Sequence, residues 1–157
     1  MIVVRSAAPE DFEACLDIVR RLPAFFTPDV PETVRSDLGR HSAWVVDDAD
    51  EVVGFAVVDR RSTKAVEILW AAVHPHRQGE GVGTLLIREV LRDLAADGVR
   101  LVVVKTLDSS SGYAAYEGTR AFWEQRGFVQ IDTIDPLPGW QPGNPSALCV
   151  AALRPTV

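Results

Sequence analysis

Residues 65–87 have the sequence AVEILWAAVHPHRQGEGVGTLLI, which is the most informative part of the chain about its fold. It opens with an apolar run typical of a buried strand, in which Glu67 is the one charged residue. His74-Pro75 ends the strand, and a glycine-rich loop follows. The apolar residues after the loop recur at helical spacing. A strand, a glycine-rich loop and a helix in this order predict an α/β domain whose loop approaches a ligand.

The loop from Gln78 to Gly83, with the sequence QGEGVG, places three glycines at the start of the predicted helix. Unpaired backbone N–H groups and the helix dipole make such a helix start a site for an anion, for example a diphosphate. A glycine-rich turn without a ligand is the alternative. Glycine starts a helix less well than Ser or Asp does, so the pattern favours ligand binding.

Three types of glycine loop can be compared with this one. A Walker loop requires a Gly-Lys pair, which the sequence lacks. A dinucleotide fingerprint requires a last Gly or Ala, but Thr84 or Leu86 stands there, depending on which glycine begins the count. The form Gln/Arg-x-x-Gly-x-Gly of a coenzyme A pyrophosphate loop is met by Gln78, Gly81 and Gly83. The sequence therefore favours coenzyme A.

The rest of the chain predicts one domain over residues 1–157, because neither repeats nor a domain boundary are evident. The predicted order is β-α-α-β-β-β-α-β-α-β-β. Strands are expected at Ile2–Arg5, Ser42–Val46, Glu51–Asp59, Lys64–His74, Leu101–Lys105, Phe128–Ile134 and Ala147–Leu153, and helices after Ala8 and at Glu32–Gly39, Gly81–Ala96 and Tyr113–Arg126.

The composition excludes several classes of protein. Apolar residues make up 47% of the chain, which excludes general disorder, and the net charge of −6 argues against nucleic-acid binding. No apolar run is long enough for a membrane span, and the start does not resemble a signal peptide. Cys15 and Cys149 are too few and too far apart for a metal or disulfide framework. These features predict a cytoplasmic protein without a metal, a membrane or a nucleic acid as partner.

Two motifs resemble the GCN5-related N-acetyltransferase (GNAT) superfamily. The first is residues 65–87, and the second is TRAFWEQRGFVQID at residues 119–132, similar to the family's Tyr-Glu-Lys-x-Gly-Phe signature. The resemblance extends from Ile2 to Leu153. It implies a mixed α+β fold with a mostly antiparallel, twisted sheet of about seven strands and helices on both faces. It also implies transfer of an acetyl group from acetyl-CoA to an amine of a small molecule or a protein.

The resemblance also assigns roles to backbone groups. The N–H near Ala71 would meet the acetyl carbonyl, and Ala72 and Val73 would pair with pantetheine as an added strand does. The pyrophosphate would lie on the loop, which comprises Gln78, Gly79, Glu80, Gly81, Val82, Gly83 and Thr84.

Glu67 is the candidate general base. An amine must lose a proton before it attacks a thioester. In the histone acetyltransferase branch of the superfamily, a glutamate at the matching place is the base, and the run EILWAAV at residues 67–73 is similar to that branch. The alternative is that Glu67 points to solvent from a strand edge, and the alternation of the strand does not decide between the two.

The second motif departs from the family. The common pattern is Asn-x-x-Ala-x-x-x-Tyr, in which Asn helps to hold the cofactor and Tyr protonates the leaving thiolate. Here Tyr116, Thr119 and Trp123 occupy these positions. Tryptophan is not a proton donor of this kind, and Tyr116 lies about 10 Å away along a helix. Either no acid is used, or water serves, or activity is lost. Trp123 is expected as a core or cofactor-packing aromatic.

Two rival functions remain open from the sequence. The first is a non-enzymatic acyl-CoA-binding or regulatory module that kept the loop and lost the chemistry, and the more distant one is a Rossmann-type nucleotide enzyme. An enzyme would be a monomer or homodimer, and its acidic charge favours a cationic amine. Phe25, Phe26 and Trp140 lie in Pro-rich loops and are candidates to line the acceptor pocket.

Overall fold

A computed structural model describes residues 1–155 of the chain. The strands of its central sheet are β1 (Ile2–Ser6), β2 (Ser42–Asp48), β3 (Glu51–Arg60), β4 (Ala65–Val73), β5 (Leu101–Leu107), β6 (Val129–Ile134) and β7 (Ser146–Ala152). The α-helices are α1 (Phe12–Arg20), α2 (Val30–Arg40), α3 (Val82–Ala96) and α4 (Glu117–Gln125). The predicted order of strands and helices is confirmed.

The seven strands form one sheet in the order β1-β2-β3-β4-β5-β7-β6. Neighbouring strands are antiparallel except β4 and β5, which are parallel and are connected through α3. The expectation of a mostly antiparallel sheet of about seven strands is therefore confirmed.

Helices cover both faces of the sheet. On one face, Val82, Leu86 and Val90 of α3 and Trp123 of α4 enter a core with the strands, so the apolar stripe read from the sequence is the buried face of α3. On the other face, α1 and α2 pack on β2, β3 and β4, with Leu16, Val34, Leu38, Phe55 and Val57 in their core. These are called below the α3 face and the α1/α2 face.

A β-bulge in β4 decides which side chains reach each face. Val57 of β3 lies opposite Trp70 and Val58 lies opposite Ile68, so Leu69 is an extra residue. Before the bulge Ile68 contributes to the core of the α3 face, and after it Trp70 packs on the α1/α2 face. Strand alternation therefore directs Glu67, next to Ile68, to the α1/α2 face.

β4 and β5 diverge after four paired residues. Their pairing runs from Ala65 opposite Leu101 to Ile68 opposite Val104. Beyond this point β5 continues against β7 and β4 continues against β3. Within residues 1–155, no strand pairs with the β5-facing edge of β4 after Ile68, so the backbone of residues 69–73 presents a free edge inside the sheet.

The fourth helix begins later than predicted. It starts at Glu117, and Ala114–Tyr116 form a 3-10 turn before it. The hydroxyls of Tyr113 and Tyr116 donate hydrogen bonds to the carbonyls of Ala24 (2.7 Å) and Phe25 (3.0 Å). These tertiary hydrogen bonds hold residues 113–116 against the α1–α2 loop, so these residues do not join α4.

Candidate functional site

The glycine loop has the backbone conformation that its glycines predict. Gly79 and Gly81 have φ of 80° and 85°, in the left-handed region, and open space surrounds both α-carbons on the side where a Cβ would be. Gly81 is the N-cap of α3, and the first helical hydrogen bond runs from the N–H of Leu85 to its carbonyl. The three preceding N–H groups have no partner within the helix, so they are available to an anion.

Residues of β4 and α4 support the loop. The amide of Gln78 donates to the carbonyl of Val73 (3.2 Å), which ties the loop to the end of β4. A Cβ on Gly83 would lie 3.3 Å from Phe122 Cε1, so the phenyl ring would have to shift slightly, and 3.5 Å from Val73 Cγ2, an ordinary contact. Glycine at position 83 therefore favours close packing of α4 on the loop, whereas Gly81 is favoured for its backbone conformation.

Two guanidinium groups lie beside the loop. Arg77 is neutralised by Asp48 (2.9 Å) and Glu80 (3.0 Å). Arg126 donates to the hydroxyl of Thr84 (2.7 Å) and stacks on the ring of Phe122 at 4.9 Å. No carboxylate in residues 1–155 forms an ion pair with Arg126, so its positive charge remains available to an anion on the loop.

Glu67 is buried where β4 and β5 begin to diverge. It is 7% exposed, which shows that the alternative of a solvent-facing position at a strand edge is wrong. Its Oε1 lies 3.2 Å from Lys105 Nζ and 3.4 Å from Arg61 Nη2. The carboxylate is thus held between two cations, whereas the apolar sequence of β4 suggested an isolated carboxylate. Charged neighbours and burial together fix its position.

The structure places most of the predicted site residues along β4, beside its divergence from β5, and in the loop that follows it. Ala71, Ala72 and Val73 lie along the free edge of β4. The loop follows directly, joined to Val73 by Gln78. Glu67 lies one residue before the last β4–β5 pair, with its side chain on the α1/α2 face. The divergence of β4 and β5 therefore has unpaired helix N–H groups near one end and a carboxylate near the other.

Tyr116 and Trp123 are placed apart from each other. Trp123 is 6% exposed in the core of the α3 face, with its ring 5.1 Å from those of Phe122 and Phe128. Tyr116 packs edge-on against Phe25 at 5.2 Å and donates its hydroxyl to that residue's carbonyl. Burial raises the pKa of the Tyr116 phenol, so it stays protonated near neutral pH.

Replacing Trp123 with alanine is expected to lower the free energy of unfolding by about 3–5 kcal/mol, because the ring leaves a cavity in the core. Trp123→Phe keeps an aromatic ring there and should cost less than Trp123→Ala, because it leaves a smaller cavity. Urea unfolding without ligand measures both. Unchanged stability of Trp123→Ala, combined with loss of acetyl-CoA affinity, would instead show that the ring serves the cofactor.

Sequence reasoning did not identify four residues of this site. Lys105 and Arg61 bind Glu67 from β5 and from the end of β3, and Phe122 and Arg126 reach the loop from α4. The contacts of Lys105, Phe122 and Arg126 join elements far apart in the chain, so no local pattern marks them. Arg61 reaches Glu67 across the turn between β3 and β4. The one available signal was Lys105, a charge at the end of an otherwise apolar strand.

A family model and solved structures match this chain. The sequence model of the acetyltransferase (GNAT) domain matches residues 39–130. This range includes β2 to β5, the glycine loop and α4. The chain belongs to the GNAT family of acetyltransferases. A search of curated proteins found no match.

Solved structures share the whole fold. A GNAT-family protein from Desulfovibrio desulfuricans superposes with a TM-score of 0.84 at 22% identity, over 98% of this chain and 100% of that one. The ribosomal-protein-S18-alanine N-acetyltransferase of Escherichia coli gives 0.79 at 19% identity, over 100% and 97%. A GNAT-family acetyltransferase from Elizabethkingia anophelis with bound acetyl-CoA gives 0.73 at 18% identity, over 97% and 98%. At these identities the similarity establishes the fold.

Residues 1–155 contain neither a helix suited to span a bilayer nor a side-chain group suited to hold a metal ion. No helix in this range combines the length and the apolar character needed to cross a bilayer. No group of three or more His, Cys, Asp or Glu side chains in it is arranged to hold a metal ion.

Proposed function

We propose that this chain transfers the acetyl group of acetyl-CoA to an amine of a small molecule or a protein, with Glu67 as the general base. The divergence of β4 and β5 beside the N-terminus of α3 carries the proposal. It combines a free strand edge with an anion site at its end. Acetyl-CoA fits both features: its amide-bearing pantetheine arm can pair with the strand edge, and its diphosphate can occupy the anion site.

The fit of coenzyme A rests on two kinds of backbone group. The free edge of β4 from Ala71 to Val73 offers N–H and C=O groups to the amides of pantetheine, as a neighbouring strand would. The unpaired N–H groups after Gly81 receive the pyrophosphate, and the Arg126 guanidinium adds positive charge beside it. This fit uses backbone groups of the β4 edge, so it does not depend on which side chains β4 carries.

The transfer step requires a base and a place for the developing oxyanion. The amine nitrogen forms a bond to the acetyl carbon, the carbon–sulfur bond breaks, and coenzyme A leaves as a thiolate. Glu67 takes the proton that the amine loses. Backbone N–H groups near Ala71 stabilise the oxyanion. The thiolate leaves without a dedicated acid or takes a proton from water, since thiols ionise at a pH of about 8.5.

Three solved structures of similar fold support this assignment. The Elizabethkingia anophelis structure contains acetyl-CoA, and the Escherichia coli enzyme is named for acetylating an alanine of a ribosomal protein. Another structure of similar fold is an aminoglycoside 6'-N-acetyltransferase in complex with coenzyme A, at 18% identity and a TM-score of 0.76. Their acceptors differ, so the fold alone does not select one.

A second candidate function is a non-enzymatic module that binds acyl-CoA. Two observations favour it. Glu67 is engaged by Lys105 and Arg61, and the position where the family commonly has a tyrosine acid is filled by Trp123 in the core. Such a module would bind acetyl-CoA as well as the enzyme does and would release no thiol with any amine.

The test combines ligand binding with turnover. Acetyl-CoA at a hundredfold excess over its dissociation constant should stabilise the fold by about 2.7 kcal/mol, seen as a rise in Tm, and NAD and ATP should not. A panel of amines should then release free thiol, with acetylated products detected by mass spectrometry. Stabilisation without turnover of any amine favours the binding module. No stabilisation at millimolar acetyl-CoA contradicts both functions.

A further inference from the structure

A continuous row of aromatic rings lies on the α1/α2 face, outside the cofactor site. Centroid distances between successive rings are 5.7, 5.2, 6.5 and 6.1 Å. The row joins three segments that are distant in sequence: the α1–α2 loop, the turn before α4, and β4. We call it the aromatic wall, and its members in spatial order are Tyr113, Tyr116, Phe25, Phe26 and Trp70.

The wall stands on the same face of the sheet as the candidate base. Trp70 follows the β4 bulge and packs on the α1/α2 face, and Glu67 precedes the bulge with its side chain on that face. Phe122 and Val82, which adjoin the glycine loop, pack on the opposite face. A molecule lying on the wall would therefore approach the divergence of β4 and β5 from the side opposite the cofactor loop.

The polar atoms of the wall are already bonded within the protein. The Tyr113 and Tyr116 hydroxyls donate to backbone carbonyls of the α1–α2 loop, and Trp70 Nε1 donates to Asp37 Oδ2 at 2.7 Å. Tyr113 is 45% exposed, and the other four rings are partly exposed. What the wall offers to a ligand is therefore the faces and edges of its rings.

Carboxylates lie at the β4 end of the wall. Asp37 holds the Trp70 indole, and Glu67 is three residues before Trp70 in β4. Aromatic faces attract an ammonium group, whereas the charge of Glu67 is already shared with Lys105 and Arg61, so the ring faces are the main attraction for a cation here. A polycation such as a polyamine would leave its other charges on an apolar surface, which is unfavourable. The arrangement suits one amine attached to one apolar group.

We propose that the acceptor is a primary amine carrying an aromatic or similarly bulky apolar group, which packs on the aromatic wall. This inference rests on the proposed function, because the wall is assigned to the acceptor of that reaction. It also assigns Tyr116 to the acceptor side of the divergence of β4 and β5, whereas the sequence placed it with the cofactor.

The first experiment compares acceptors at saturating acetyl-CoA. We expect kcat/KM for 2-phenylethylamine to exceed that for propylamine by at least about tenfold, because the phenyl ring gains apolar contact. Spermidine should be no better than propylamine. A preference for spermidine or propylamine would overturn the inference and leave the acetyltransferase function intact.

The second experiment tests the wall by substitution. Phe26→Ala should lower kcat/KM for 2-phenylethylamine by about tenfold and leave the value for propylamine and the KM for acetyl-CoA nearly unchanged. The matched control is Ile131→Ala, which removes an exposed apolar side chain from β6 and should change none of these. An equal loss for both amines in Phe26→Ala would contradict a role in recognising the apolar group.

A binding measurement separates failure of the wall from failure of the chemistry. Calorimetry of 2-phenylethylamine with the protein in complex with coenzyme A needs no turnover. Binding that Phe26→Ala weakens, with no amine acetylated, supports the wall and contradicts the proposed enzyme. Turnover without such binding or preference supports the enzyme and contradicts the wall. If neither binding nor turnover is observed, both the aromatic wall and the proposed enzyme are contradicted.

Discussion

Glu67→Gln is expected to lower turnover by about 10²–10⁴-fold, the usual contribution of a general base. The affinity for acetyl-CoA should change little, because the proposed cofactor site consists of the loop and the backbone of β4. The deficit should shrink at high pH, where a larger fraction of an amine that ionises at about 10.4 is already deprotonated. Steady-state kinetics from pH 7 upward, with a confirmed acceptor, measures the effect.

The control for this substitution is Glu10→Gln, which neutralises an exposed carboxylate before α1 and should keep full activity. Glutamine at position 67 also leaves Lys105 and Arg61 without their shared carboxylate. Unfolding experiments must therefore show that the variant is folded at the assay temperature. Full activity of Glu67→Gln at neutral pH would mean that another group or water removes the proton.

Gly81→Asp is expected to abolish the rise in Tm that acetyl-CoA causes. A side chain at this position must adopt a φ of 85°, which L-residues rarely do, and its carboxylate would lie where the pyrophosphate is proposed to bind. We expect affinity to fall at least about a hundredfold, since strain and repulsion between anions act together. Thermal unfolding with and without acetyl-CoA, followed by calorimetry, measures the loss.

Two further variants separate strain from charge at this position. Gly81→Ala introduces the strain without the charge, so its affinity should lie between those of the parent and Gly81→Asp. Gly39→Asp introduces the same side chain into α2, where no atom lies within 4 Å of the new Cβ. It should keep the full response to acetyl-CoA. A normal response in Gly81→Asp would show that coenzyme A does not bind at the start of α3.

Local patterns predicted the features of this fold that depend on neighbours in the chain. The spacing of Val82, Leu86 and Val90 predicted α3, because apolar residues that recur with the period of a helix all lie on its buried side. The glycines marked the loop because Gly79 and Gly81 adopt a backbone conformation that other residues avoid. Both signals lie within a few residues of the structure that they specify.

Features that depend on distant segments could not be predicted in the same way. The bulge at Leu69 leaves no trace in the apolar sequence of β4, yet it decides which residues lie on the α1/α2 face. The ion pair of Glu67 with Lys105 depends on β4 and β5 being neighbours for four residues. The start of α4 was predicted too early because tertiary hydrogen bonds of Tyr113 and Tyr116 outweigh helix propensity there.

The divergence of β4 and β5 also bears on how the sheet fluctuates. Backbone groups of β4 up to Ile68 are held by strands on two sides, whereas residues 69–73 are held by β3 on one side. Segments with fewer backbone bonds open at lower free-energy cost. The least protected part of β4 therefore lies in the middle of the sheet, where a strand is usually most protected. A ligand that paired with this edge would raise the local opening energy, so occupancy of the edge and rigidity of the sheet centre would be thermodynamically linked.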